Sequence, residues 1–260
     1  GTDLAMEFMQ MFCPNPAEHP ALKAMVGDHE EFKAITDKDH VTAYVFKTVA
    51  DPFAGRLSFF KVCTGVLKND ANLVDMRSKS QERLSHISVP LGKNVLPVNE
   101  LHAGDIGVVA KLKDVLTGDT LCEKGDSVEY PKVDLPEPSI AYAIAAKSRN
   151  DEDRMGNSVH KILEEDQGLR FYRDPQTKDF LLAGSGGQHI EIIVSRLKRR
   201  YNVEVELRQP KIPYRETIRG FADVHGRHKK QTGGHGQFGD CKIKMSPLPR
   251  GEKFEFVNDI

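Results

Sequence analysis

The sequence predicts a multidomain β and α+β protein: a small antiparallel β-barrel or sandwich, a βαββαβ unit behind it, and the opening of a third unit after Pro213. Three observations carry this prediction. Between Val41 and about Glu129, short β-branched stretches alternate with turn residues and no long helical pattern intervenes. From residue 140 the patterns run strand, helix, strand, strand, helix, strand. Between these regions PKVDLPEP (131–138) places three prolines in eight residues, the composition of a stiff linker.

Taken in order, residues 3–13 (DLAMEFMQMFC) space Leu4, Met6, Phe8, Met9 and Phe12 as a helix does, and Pro14 and Pro16 end it. One short helix cannot be a domain, so it reads as part of something upstream. VTAYVFKTV, RLSFFKVCTG, LVDM, LSHISV and IGVVAKL are strand-like, and Asp51-Pro52, Asn69-Asp70, Gly92-Lys93-Asn94 and Gly104-Asp105 break them. In the next unit IAYAIAAK (140–147) is a strand, and Asn150-Asp151 offers an N-cap to a helix with Met155, Val159, Ile162 and Leu163 on one face. LRFYRD and DFLLA follow as strands around a turn at Asp174-Pro175. A second helix carries Ile190, Ile193, Val194, Leu197 and Tyr201, and NVEVELR (202–208) closes a ferredoxin-like arrangement. The chain begins Gly1-Thr2 without a Met and stops in FEFVNDI, which alternates like a strand, so it reads as a piece of a longer protein.

Composition narrows the function. Hydrophobic residues at 39% and charged residues at 29% fit a soluble globular protein, with no apolar run long enough to span a bilayer and no secretory signal pattern. Cys13, Cys63, Cys122 and Cys241 form no C-x-x-C pair and read as free thiols of a reducing compartment. The net charge of −1 points to no partner, so any nucleic-acid footprint must be local.

It is local. GRHKKQTGGHGQFG (226–239) holds one Arg, two Lys, two His, two Gln and five Gly, and only Phe238 could anchor a core. From Arg219 to Lys244 six cations face two carboxylates. Cations on a Gly-rich loop suit close approach to a phosphate-bearing partner, while a solvated surface reaches the same bias by chance. Gly234, Gly236 and Gly239 spell G-x-G-x-x-G, but the dinucleotide reading needs a helix next, and DCKIKMS reads as a strand. His225, His228, His235 and Cys241 could be weighed as a zinc set, although the tight ligand pairs of zinc sites are missing and Lys229 and Lys230 oppose a dication. AGSGGQH (183–189) either cradles a phosphate at a helix N-terminus or uses its glycines for a tight turn. No G-x-S-x-G, H-E-x-x-H or G-x-x-x-x-G-K-[ST] is present, so no catalytic residue and no metal ligand is assigned.

Read together, the segments resemble the elongation factor G family of translational GTPases. AGDIGVVAKLKDVLTGDTLC (103–122) is similar to its domain II; LPEPSIAYAIAAKSRNDEDRMGNSVHKILEED (135–166) and LLAGSGGQHIEIIVSRLKRRYNVEVE (181–206) are similar to its domain III. PYRETIRG (213–220) resembles the junction into domain IV, and GRHKKQTGGHGQFG that domain's opening. The resemblance implies a β-barrel domain II at 37–131, a ferredoxin-like βαββαβ domain III at 132–212 and the truncated start of an α+β domain IV at 213–260. Residues 1–36 would be the last helix and tail of a GTPase domain outside this sequence. GTP and magnesium would bind that missing domain, so this chain would hold no cofactor and would not itself be an enzyme.

The partner implied is the ribosome, in the cytoplasm, with no membrane and with the protein as a monomer. Domain II would lie against ribosomal RNA near Arg56, and Lys147, Arg149 and Arg154 of domain III are candidate contacts. Domain IV would reach tRNA and mRNA in the decoding region through Arg227, His228, Lys229, Lys230, Gln231, Gly233, Gly234, His235 and Gln237. The family commonly has Gly-Glu-Leu-His where this chain has Gly186-Gly187-Gln188-His189, and a basic residue where it has His235. These departures keep open a paralogous ribosome-protection or ribosome-recycling factor beside the translocase. A stand-alone RNA-binding module is the third reading.

Overall fold

The computed structural model describes residues 1–51, 55–92, 94–214, 216–231, 233–234, 236–252 and 254–258, without the side chains of Arg149 and Asn150. The chain divides into two compact units, Gly1–Lys211 and Ile212–Ile260. In the first, helix α1 (Thr2–Phe12) and a single 3-10 turn (Pro16–Glu18) precede strands β1 (Leu22–Val26) and β2 (His29–Lys33). Then come β3 (Thr42–Asp51), β4 (Gly55–Thr64), β5 (Leu67–Lys68), β6 (Ala71–Asp75), β7 (Gln81–Leu84) and β8 (Ser88–Leu91). They are followed by β9 (Asn94–Pro97), β10 (Glu100–Leu101), β11 (Ile106–Ala110), β12 (Thr120–Cys122) and β13 (Val128–Glu129).

Eight of these strands form one antiparallel sheet in the order β7-β6-β12-β3-β4-β11-β8-β9. The sheet curls into a half-barrel, because residues near its two ends, Leu84 and Ile87, reach the same core as central Val45, Phe60 and Leu121. The alternation of β3 and β4 builds that core: Ala43 and Val45 face inward opposite Val62 and Phe60. The pairing slips twice, leaving Cys63 extra on β4 and Phe46 extra on β3. Cys63 follows inward-facing Val62 and so points away from the barrel core, into a second cluster with Ala24, Met76, Cys122, Val128 and Tyr130.

That second cluster lies under β1, β2 and β13, which form a three-stranded sheet. Strand patterns in the sequence begin only at residue 41, so the sequence reading leaves residues 22–33 with the preceding helix. Their pairing with β13 instead joins them to the barrel. LSHISV also differs from expectation, being the end of β7 and the start of β8, broken where His86 takes a left-handed φ of 57°. The stripe read on α1 faces solvent: Leu4, Phe8 and Phe12 are all exposed.

The βαββαβ order appears as read: β14 (Ile140–Ala146), α2 (Arg149–Glu165), β15 (Arg170–Arg173), β16 (Phe180–Gly184), α3 (Gly187–Tyr201) and β17 (Val205–Arg208). The sheet order is β15-β16-β14-β17. By register Tyr142, Ile144, Leu182 and Val205 share the face on which Met155, Val159 and Ile162 of α2 and Ile190, Ile193 and Leu197 of α3 pack. The α2 cap is Ser148, whose hydroxyl accepts the Asp151 N–H at 3.2 Å, not the Asn150-Asp151 pair. Ser is short enough to reach that amide from the extended residue before the helix.

At the AGSGGQH turn a Cβ on Gly184 would come within 2.9 Å of Ile190 Cδ1 and 3.0 Å of His189 Nδ1. Close helix-to-strand packing therefore explains that glycine, which favours the turn reading over the phosphate cradle. The His189 ring bonds Ser185 Oγ at 3.0 Å and Asp166 at 2.9 Å, tying the start of α3 to the end of α2.

Barrel and βαββαβ unit are joined by a polar clamp. Glu165 ends α2 with its side chain only 10% exposed, and it accepts the Ala50 N–H at 2.6 Å. The same carboxylate takes two bonds from Arg200, at 2.8 and 3.0 Å, while Arg200 also donates to the Ala50 carbonyl. Beside it Gln167 donates to the Thr117 carbonyl at 2.5 Å. Both backbone groups of one barrel residue are thus satisfied by two helices of the other domain, and the guanidinium stays charged against its paired carboxylate.

Two outcomes are expected. Glu165→Ala leaves the Arg200 charge and the Ala50 amide without their shared partner and should lower stability by about 2–3 kcal/mol in a denaturant titration. Burial pushes the thiols of Cys63 and Cys122 up to about 11 and about 12, whereas Cys13 and Cys241 are exposed. A thiol reagent at neutral pH should therefore label Cys13 and Cys241 in the native chain, and reach the other two only after unfolding.

Candidate nucleic-acid interface

Among its described residues the second unit contains one ribbon, β18 (Ala222–Lys230) paired antiparallel with β19 (Gln237–Met245). The register runs from Ala222 opposite Met245 to Lys230 opposite Gln237 without a slip. Between the strands Gly233 and Gly234 hold φ values of 68° and 80°. Side chains resist this left-handed region, so the two glycines are first of all requirements of the turn.

Strand pairing assigns every residue of the two strands to a face. One face carries Ala222, Val224, Cys241, Ile243 and Met245 near its base and His228, Lys230 and Gln237 near the turn. The other carries His225, Arg227, Lys229, Phe238, Lys242 and Lys244, with Asp223 and Asp240. Both faces are exposed. Asp240 accepts from His225 at 2.5 Å and lies 3.7 Å from Arg227 Nε, and the Arg227 guanidinium sits 5.7 Å from the centre of the Phe238 ring.

This geometry revises the sequence reading of a basic loop. Arg227, His228, Lys229 and Lys230 stand on β18 and Gln237 on β19, while Gln231, Gly233 and Gly234 make the turn. His235 lies outside the described residues. The G-x-G-x-x-G run ends inside β19, with no helix after it, so it has no helix N-terminus to offer a pyrophosphate. The zinc set is divided, since His225 and Cys241 point to opposite faces, and among the described residues no group of three His, Cys, Asp or Glu could hold a metal. FEFVNDI forms no strand over residues 254–258.

Of the cations assigned to the first unit, Arg56, Lys147 and Arg154 have partners within the chain. Arg56 is 17% exposed and donates to the carbonyls of Leu112 and Lys113. Arg154 caps the last turn of α3 by donating to Tyr201 O at 2.7 Å, and Lys147 pairs with Glu204 at 3.3 Å. The backbone of Arg149 opens α2. Phe238, Lys242 and Lys244, absent from the sequence-derived site, join Arg227 and Lys229 on one face. Counting outward in pairs from the Gly-rich turn would have found them.

Three family models match consecutive stretches: elongation factor G domain 2 over residues 40–124, domain III over 135–209 and domain IV over 210–260. An elongation factor G-like protein of Thermotoga maritima is 36% identical along the whole of this chain. A crystal structure of a Thermus thermophilus protein superposes on 96% of the chain with a TM-score of 0.73 at 36% identity. The chain spans 38% of the length of the first relative and 35% of the second. No helix among the described residues is long and apolar enough to cross a membrane.

Replacing Arg154 by Ala should lower stability by about 1 kcal/mol in a denaturant titration through loss of the α3 cap. With its half-barrel, its βαββαβ sheet and its basic ribbon each falling under a consecutive family model, the chain belongs to the elongation factor G family and carries domains II and III and part of domain IV.

Proposed function

We propose that this chain is the ribosome-facing middle of a translational GTPase that moves tRNA and mRNA during protein synthesis. GTP and magnesium serve a GTPase domain of the complete protein, and the half-barrel and βαββαβ unit are a structural scaffold within it. The observation that supports the reading most is the ribbon itself. Arg227, Lys229 and Lys230 are exposed on β18 next to a turn built on Gly233 and Gly234, an arrangement suited to RNA phosphates. In the same reading Gln231 and Gln237 offer a donor and an acceptor each to a base edge or a 2′-hydroxyl. His228, Gly233, Gly234 and His235 belong to the proposed RNA-facing set, whereas Arg56, Lys147 and Arg154 serve the scaffold.

A second reading, a paralogous ribosome-protection or recycling factor, draws on two departures in sequence. Gly187 stands where the family commonly has an acidic residue, and His235 where it often has a basic one. The two readings part in assays on the complete protein, where one expects tRNA–mRNA movement and the other drug rescue or subunit splitting without it.

In that complete protein, Lys229→Ala with Lys230→Ala should slow translocation about tenfold or more and leave ribosome-stimulated GTP hydrolysis within about twofold. Equal loss of both activities, or no loss of either, would count against a role at the decoding region.

A further inference from the structure

We propose that the charged face of the β18–β19 ribbon is a stacking platform for an unpaired RNA base. The Phe238 ring is the surface, and Lys229, Lys242 and Lys244 hold the adjoining phosphates. This rests on the RNA-facing reading above and goes further by naming the face, the residue and single-stranded RNA as the occupant.

The ribbon's two faces differ in what they can bind. Val224, Ile243 and Met245 line one face and offer nothing to a phosphate near its base. On the other, Phe238 is the one large aromatic side chain of the paired strands, and it is 65% exposed. It stands among cations: Lys229 is its cross-strand partner and Arg227 lies over its ring. Within this chain the ring stands among exposed charges, is not packed into a core, and keeps its π-surface open.

Asp240 steadies this arrangement. Its carboxylate lies 3.7 Å from Arg227 Nε and bonds His225, which holds the guanidinium beside the ring. With a cation over one part of the ring and solvent over the rest, a base can complete an Arg–Phe–base stack. Lys229, Lys242 and Lys244 make no ion pair among the described residues and remain available to a polyanion. A duplex buries the faces of its bases, so the ligand that fits is an unpaired strand.

The chain contains no Trp, which makes a direct test possible. Phe238→Trp places the only indole of this chain on the platform, and its fluorescence should be quenched as oligouridine or oligoadenosine is added. In anisotropy titrations of the same labelled oligonucleotides, Phe238→Leu should weaken binding roughly tenfold, and Phe238→Trp should bind at least as tightly as the original chain. Lys229→Ala and Lys242→Ala should each reduce the salt dependence of binding by about one unit, while duplex RNA should bind more weakly than the single strand.

An unquenched indole, or Phe238→Leu binding as tightly as the original chain, overturns the platform. If the Lys229→Ala, Lys230→Ala pair still weakens RNA binding in that case, the RNA-facing reading survives without it. If neither Phe238 nor the lysines matter and the chain binds ribosomal proteins stripped of RNA instead, the ribbon is a protein contact and both readings fall.

Discussion

The two-residue period of a paired strand governs this structure, because it decides what each face of a sheet can hold. In β3 and β4 the period sends Ala43, Val45, Phe60 and Val62 into one core. The same alternation places Cys63 on the opposite side, where with Met76 and Cys122 it supplies a second cluster on the outside of the half-barrel. That cluster is the apolar surface on which β1, β2 and β13 lie. In the ribbon the same period runs unbroken and separates apolar Val224, Ile243 and Met245 from Phe238 and its cations. One geometric rule therefore builds the cores of the first unit and sorts the chemistry of the second.

Carboxylates fasten what the pleat has shaped. Glu82, 3% exposed, accepts the amides of Lys113 and Asp114, and Asp75 accepts those of Arg77 and Ser78. Asp119 takes the Leu116 amide at 2.8 Å, Arg77 at 2.9 Å and Lys132 at 3.2 Å. Each holds loop backbone that would otherwise lose its water without gaining a partner. Glu165 applies the same chemistry between domains, gripping Ala50 with the help of Arg200. These bonds explain why barrel and βαββαβ unit belong to one compact body.

The cations differ in the partners they find. Arg56, Arg154 and Arg200 donate to carbonyls at a strand loop or a helix end. Lys229, Lys242 and Lys244 stand on an exposed ribbon and make no ion pair among the described residues. That contrast is what supports the RNA-facing role proposed for the ribbon.

Local periodicity, and residues with a fixed conformational role, made much of this protein legible in one dimension. Helix spacing identified the buried faces of α2 and α3, the order of patterns yielded βαββαβ, and the strand alternation after Gly239 ruled out a dinucleotide site. The resemblance to a known family reached the same domains. Strands β1 and β2 escaped because Leu22–Lys33 has little alternation of its own, and the strand that extends their hairpin into a sheet, β13, lies about a hundred residues away. Asp119 and Glu165 have no role assigned from sequence, since the groups they hold include backbone that the pattern of side chains does not reveal. That Phe238 shares a face with Arg227 and Lys229 emerged only in three dimensions, because a strand's composition does not state its register and antiparallel pairing alone fixes which side chains meet.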